Sequence, residues 1–241
     1  MSLLTLMDAI YVINLPYQSD RRAEIDVQLA RAGLSLSHPK VHLFEAVRPD
    51  EPGPFPSIGA RGCFLSHLGV LKDAAMRGFD KVLVLEDDAD FMRALVAPAP
   101  LPEHVRGIQT ADLFYLGYAL QPGHQLPQSG PEGHSVVSLQ PETGLQQTHS
   151  MVFSKAAILA LVPYLEAMLA RPPGHPEGGP MHVDGAYSWF RKDHPSMACI
   201  AAQPPLAIQR ASQTDIHTMT CKDRLPFIAI LRRLKRLLKK G

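Results

Sequence analysis

Residues 82–91 read VLVLEDDADF, four aliphatic side chains running straight into Glu86, Asp87, Asp88 and Asp90. No other stretch narrows the possible folds as much. The apolar run predicts a strand buried on both faces. Four carboxylates within five positions oppose one another's ionisation unless a cation, hydrogen-bond donors or water compensates them. A buried strand that ends in such a cluster belongs in an open α/β sheet, where ligands gather at the carboxyl ends of strands.

The surrounding chain supplies the rest of that sheet. Residues 9–15, AIYVINL, are β-branched and aromatic up to Pro16 and predict a first buried strand. Ser19 or Asp20 is positioned to cap a helix reaching Arg31, with Ile25, Leu29 and Ala32 at helical spacing and Gly33 as terminator. A short strand follows at 41–44, then a proline-rich loop, RPDEPGPFP. Leu65, Leu68, Leu71 and Ala75 share one face of a helix predicted over 62–77 and closed by Gly78. Strand, helix, strand, helix, strand is the order that builds a doubly wound α/β fold. Later strands are predicted at 111–117, 151–153 and 199–201, with a helix over 155–170 that contains Pro163. The Pro, Gly, Gln, Ser and His of 121–143 predict an extended loop.

Composition narrows the function classes. With 241 residues, 46% of them hydrophobic and 20% charged, the chain has apolar material for a core, which excludes global disorder. The three cysteines, Cys63, Cys199 and Cys221, make neither a disulfide framework nor a CxxC pair, pointing to a reducing compartment. The apolar start carries Asp8 and lacks a basic leader, so a cytoplasmic protein is expected. Net charge is +1, but residues 225–241 hold six cations and no acid, which leaves −5 for the remainder. An acidic body with a basic tail is not the footprint of a nucleic-acid binder. In that tail Phe227, Ile230 or Leu231, Leu234 and Leu237 or Leu238 line one helical face, the pattern of an amphipathic helix on an anionic membrane surface, or of a terminal helix docked on protein.

The sequence contains no GxGxxG or Walker motif, so a dinucleotide or P-loop site has no support. A two-component receiver also places acids after a strand, but there the pair ends the first strand and the phospho-accepting aspartate ends a third. Here the acids follow about eighty residues of domain, and Asp112 precedes its apolar run. The receiver reading fails.

Seven blocks in order, IYVINLPYQSDRR (10–22), FEAV (44–47), GCFLSHLGVLKDA (62–74), KVLVLEDDADF (81–91), DLFYLG (112–117), HVDGAY (182–187) and QRASQTDI (209–216), resemble glycosyltransferase family 25. That group contains bacterial lipopolysaccharide and lipooligosaccharide galactosyl- and glucosyltransferases and the collagen galactosyltransferases. The resemblance implies an α/β, GT-A-like fold with a Rossmann-like, mostly parallel central sheet flanked by helices. It implies a single domain over 1–224, its donor half at about 1–120 and its acceptor half at about 121–224, followed by the basic helical tail at 225–241. It further implies a UDP-sugar donor, Mn²⁺ or another divalent cation, and transfer of a hexose, galactose or glucose, to a lipid-linked or surface glycan at the inner face of the membrane.

Mapped onto the family's pattern, Glu86 and Asp88 are the expected metal ligands, with His217 a late addition, and Asp87 is assigned to the donor. Strand alternation would send Glu86 and Asp88 to one face; Asp90 reads as a helix cap or loop acid. Asn14, Arg21 and Arg22 follow the first strand, where guanidinium groups suit a diphosphate, although Arg22 would equally pair with Glu24. Ser66 and His67 stand at the family's Ser-His; a lone helical histidine is otherwise structural. His149 and Ser150 are expected to border the sugar. Asp184 is the candidate general base for an inverting transfer, or else a helix cap, with His182 beside it. The family often carries a Glu just before its Gly-Cys pair, where this chain has Ala60 and Arg61. That change supports the alternative of a catalytically inactive nucleotide-sugar- or glycan-binding protein on the same fold. A membrane-associated scaffold using the tail is a third reading.

Overall fold

The computed structural model describes residues 2–126 and 133–210. A 3₁₀ turn (Leu3–Leu6) leads into β1 (Ala9–Asn14), α1 (Ser19–Arg31), β2 (Val41–Glu45), α2 (Ile58–Arg77) and β3 (Lys81–Glu86). The chain continues through β4 (Ala89–Phe91), α3 (Arg93–Val96), α4 (Pro102–Thr110), β5 (Leu113–Leu120), β6 (Ser135–Ser138) and β7 (Leu145–Ser154). It ends in α5 (Lys155–Ala170), α6 (Val183–Asp193), β8 (Cys199–Gln203) and β9 (Ala207–Gln209). His217 and the basic tail lie outside the described residues.

All described strands join one nine-stranded sheet whose main path is β2-β1-β3-β7-β5-β8-β6, with β9 leaving β5 to pair with β4. Strands β1, β2, β3, β5, β8 and β9 run one way, and β4, β6 and β7 oppose them. This is the mostly parallel sheet expected, with β7 inserted antiparallel beside β3. Alternation along each strand feeds two cores. Tyr11, Val82, Val84, Tyr115 and Phe153 face α2, α5 and α6, whereas Ile10, Val12, Leu83, Leu85 and Phe114 face Ile25 and Leu29 of α1, Leu95 of α3 and Ile108 of α4. The uninterrupted apolar runs are thus explained by helices on both faces.

Several boundaries differ from expectation for local reasons. Helix α2 starts at Ile58 rather than near 62, because the Ser57 hydroxyl accepts the Ala60 amide as an N-cap. Gly78, at φ 72°, ends it in the left-handed conformation that only glycine adopts without penalty. Ser19 and Asp20 lie inside α1, and the capping position is Gln18. Pro163 is tolerated in α5 because it sits on the exposed side, where the lost backbone hydrogen bond faces water. Asp90 is neither a cap nor a loop acid. It lies on β4 opposite Ile208, and its carboxylate accepts two hydrogen bonds, of 2.7 and 3.1 Å, from Arg210.

Where β5 and β7 cross near the site, Gly117 leaves room for the fully buried His149. A Cβ there would stand 2.3 Å from the imidazole Nε2. Gly117→Ala should therefore cost about 1–3 kcal/mol of stability by overpacking, read as a lower urea midpoint; an unchanged midpoint would show that His149 is free to retreat.

Candidate functional site

The site forms where β1, β2 and β3 end. Because β2 and β3 flank β1 on opposite sides and all three are parallel, their carboxyl ends open a crevice at the point where strand order reverses. The crevice is a cleft of about 240 Å³. Its floor is Ile13, Leu15, Glu86, Asp87 and Asp88; its walls are the 46–49 segment, the first turns of α2 and Arg21 of α1. Gly62 lets the 46–49 segment cross α2 closely, since a Cβ there would lie 2.6 Å from the Val47 carbonyl oxygen. Ser66 fixes the crossing by accepting the Val47 amide at 2.8 Å while donating to the Gly62 carbonyl at 2.7 Å.

The acids do not form one shared face. Strand β3 stops at Glu86, and the turn that follows sends the neighbouring carboxylates to separate partners. Asp87 accepts from the Asn14 side-chain amide at 2.7 Å, which ties the end of β1 to the end of β3. Arg21 Nη2 stands 3.0 Å from Asp87 and 2.6 Å from Asp88, and Gln209 donates to the same Asp88 oxygen at 3.2 Å. Glu86 turns the other way, with one oxygen accepting from Thr148 at 3.2 Å and His67 Nε2 at 3.3 Å, and Cys63 Sγ at 3.8 Å.

This division sets the charge states. Burial pushes the Glu86 carboxyl up, but the hydrogen bond and charge of His67, with Thr148 and His149 behind them, more than offset it and hold it below its usual value. Asp87 is raised by burial, with Arg21 and Asn14 opposing. Asp88 is pushed up to about 7, first by burial and then by the Glu86 charge, against the pull of Arg21. Among the described residues its Oδ1, buried, has no hydrogen-bond partner, and neither has Arg21 Nε. A buried acceptor on a cleft-lining carboxyl that its neighbours discourage from ionising is a position a hard dication would satisfy. On that ground the residues fit the expected metal, with Asp88 as its leading ligand.

Other expected residues fall elsewhere. Arg22 is not part of the cleft lining; its guanidinium donates to Asn14 Oδ1 at 2.9 Å and to the Pro16 carbonyl at 2.8 Å, so it positions Asn14. Neither Asn14 nor Asp184 lines the cleft. Asp184 sits in the first turn of α6, where it accepts the Gly185 amide at 2.7 Å and the Gln147 amide at 3.1 Å, while adding its negative field to that on Cys63 in the cleft wall. His149 and Ser150, expected near the sugar, are fully buried on β7 outside the lining. Arg61 donates to the Glu51 carbonyl at 2.9 Å and also stands outside the lining, so its charge is not delivered to the cleft floor. Residues not foreseen are Arg48, which lines the cleft and packs over the Tyr17 ring at 5.0 Å, together with Cys63, Thr148, Tyr187 and Gln209.

No family model matches the chain. Over 101 residues it is 36% identical to procollagen galactosyltransferase 2 of Mus musculus and of Homo sapiens, a stretch that takes in 35% of this chain. The chain spans 16% of the length of these curated relatives. Among solved structures, a glycosyltransferase involved in the glycosylation of the major capsid of PBCV-1 aligns over 87% of this chain and all of its own, at TM-score 0.43 and 11% identity. That superposition is too loose to carry an argument.

The raised Asp88 carboxyl has a consequence for stability. Because the folded state binds this proton more tightly than the unfolded chain, whose Asp titrates near about 4, folding stability is lost as pH rises toward about 7. Asp88→Asn should gain on the metal-free wild type over that window by on the order of 3 kcal/mol. Urea unfolding in chelator across pH 4–7 reads the difference; a pH-independent gap would contradict the assignment.

Proposed function

We propose that the chain is a glycosyltransferase that moves a hexose, galactose or glucose, from a UDP-sugar to a lipid-linked or surface glycan with a divalent cation, Mn²⁺ by the family's habit, and inversion at the sugar. The observation that carries this reading is the cleft at the strand-order reversal. It combines cations and helix-end amides for a diphosphate with a buried, unpartnered carboxylate oxygen for a metal. The 36% identity to a procollagen galactosyltransferase supports the same class of chemistry.

Each residue then has a task. Arg21 and Arg48 meet the diphosphate, and the first turn of α2, whose Ile58 and Gly59 line the cleft, offers its oxygens leading backbone N–H groups that have no acceptor within the helix. Asn14 and Arg22 hold Asp87, and through it Arg21, in register. Ser66 keeps the 46–49 wall closed against α2. Asp88 would hold the dication, which when bound supplies Lewis-acid stabilisation of the departing diphosphate. Asp184, which stands outside the cleft lining, is proposed on the sequence resemblance as the base that takes the acceptor hydroxyl's proton. His217 is a further proposed ligand, and it lies outside the described residues. The membrane-surface role of the basic tail, and a cytoplasmic site at the inner face of the membrane, are proposed from the sequence alone.

The inactive-binder alternative rested on Ala60 and Arg61, and Arg61 is occupied by the Glu51 carbonyl outside the cleft lining. Asp88→Ala should therefore reduce Mn²⁺-dependent UDP release from UDP-galactose or UDP-glucose by a hundredfold or more, about the scale of one lost electrostatic contact at a transition state. Its circular dichroism should stay unchanged. Full turnover in this variant, or turnover indifferent to EDTA, would remove the metal assignment; absence of turnover from the wild type with every hexose donor would favour the inactive binder.

A further inference from the structure

Besides the hard-cation position at Asp88, the floor of the cleft carries a second group of ligand atoms with different chemistry. Cys63 and His67 are four residues apart on α2, so their side chains project from one face of the helix one turn apart. Glu86, at the end of β3, meets them. The Cys63 sulfur, a His67 ring nitrogen and a Glu86 oxygen all lie within 4.8 Å of one another, with Glu86 Oε1 3.3 Å from His67 Nε2 and 3.8 Å from Cys63 Sγ. Tetrahedral zinc, with bonds of about 2.0–2.3 Å, needs ligand atoms about 3.3–3.6 Å apart. The two pairs that include Glu86 are close to that spacing already.

The surroundings are built for the same role. Tyr187 places its hydroxyl 3.1 Å from His67 Nδ1. Metal binding would move the His67 proton from Nε2, where it faces Glu86, to Nδ1, which then donates to that hydroxyl oxygen and leaves the Nε2 lone pair for the cation, the second-shell arrangement that orients a metal-bound imidazole. Thr148 donates to Glu86 at 3.2 Å and fixes the carboxylate. All three ligand residues line the cleft, so a fourth coordination position faces its open space. In the absence of a cation, burial and the charges of Glu86, Asp184 and Asp88 keep the Cys63 thiol protonated; on coordination the S–H proton leaves to solvent and the thiolate becomes a ligand.

We propose that Cys63, His67 and Glu86 form a binding site for a thiophilic, zinc-class divalent cation, separate from the carboxylate site at Asp88. A sulfur–nitrogen–oxygen set prefers zinc or cobalt over the hard manganese or magnesium. The site does not depend on the donor assignment.

Titration of the full chain with Co²⁺, without nucleotide sugar, tests it. One Co²⁺ per chain should bind with a thiolate-to-metal charge-transfer band, and Zn²⁺ should displace it. The band should survive Cys199→Ser with Cys221→Ser and vanish in Cys63→Ser. Tyr187→Phe, which keeps the ring and removes the hydroxyl, should weaken Zn²⁺ binding by about 10–100-fold. Thermal melting of each variant without metal checks that it is folded. A Co²⁺ spectrum with no thiolate band in the folded wild type, or a band that persists in Cys63→Ser, overturns the site. UDP affinity of the wild type in Mn²⁺, measured in parallel, separates the two readings: a wild type that binds UDP but shows no thiolate-to-cobalt band sinks this site alone.

Discussion

Arg21 between Asp87 and Asp88 is the interaction on which the site depends. A buried strand that ends in consecutive acids would repel itself, and the fold relieves this in two directions. One guanidinium answers Asp87 and Asp88, while His67 and Thr148 answer Glu86. Arg21 comes from α1 and Asn14 from the end of β1, so the same contacts that neutralise the acids lock the first β-α unit to the third strand. Among the described residues the compensation is incomplete at Asp88, whose second oxygen has no partner. Incomplete compensation at one oxygen would make the cleft receptive to a cation rather than merely tolerant of its own charge.

The same geometry divides the acidic motif into two chemistries. Glu86 belongs with a thiol and an imidazole held on one helix, and Asp88 with arginine and an amide. Strand alternation alone would have joined them, because it assumes that β3 continues to Asp88. The strand ends two residues sooner, and the turn reverses the outcome. Chain from beyond 200 completes the second group: Ala89 and Phe91 pair with Gln209 and Ala207, bringing Gln209 onto Asp88 and Arg210 onto Asp90.

Much of the fold was legible because its signals are local. Helical spacing in residues 19–31 and 155–170, and apolar runs at 9–14 and 81–86, mark elements whose period and burial agree. Strand β4 was not legible: Ala89–Phe91 has three residues and exists through pairing with a segment 118 positions away. Most of β7 was hidden because Gln146, Gln147, Thr148 and His149 are polar, and its antiparallel direction follows from β3 and β5 on either side. In the site, motif position brought forward Arg21, Ser66, His67 and the three acids. Cys63 is not marked by any cysteine pairing or CxxC pattern; its signal is the four-residue spacing from His67 on a helix in GCFLSH. Arg48 sits in a proline-rich loop with no period to betray it.

The proposed role of this cleft is to hold a nucleoside diphosphate and a dication together. A crystal structure of the full chain grown with UDP and Mn²⁺ tests it most directly. The account predicts the diphosphate between Arg21 and the first turn of α2, with anomalous density for manganese against Asp88. UDP bound away from the ends of β1, β2 and β3, or manganese with no ligand from Asp88, would contradict it.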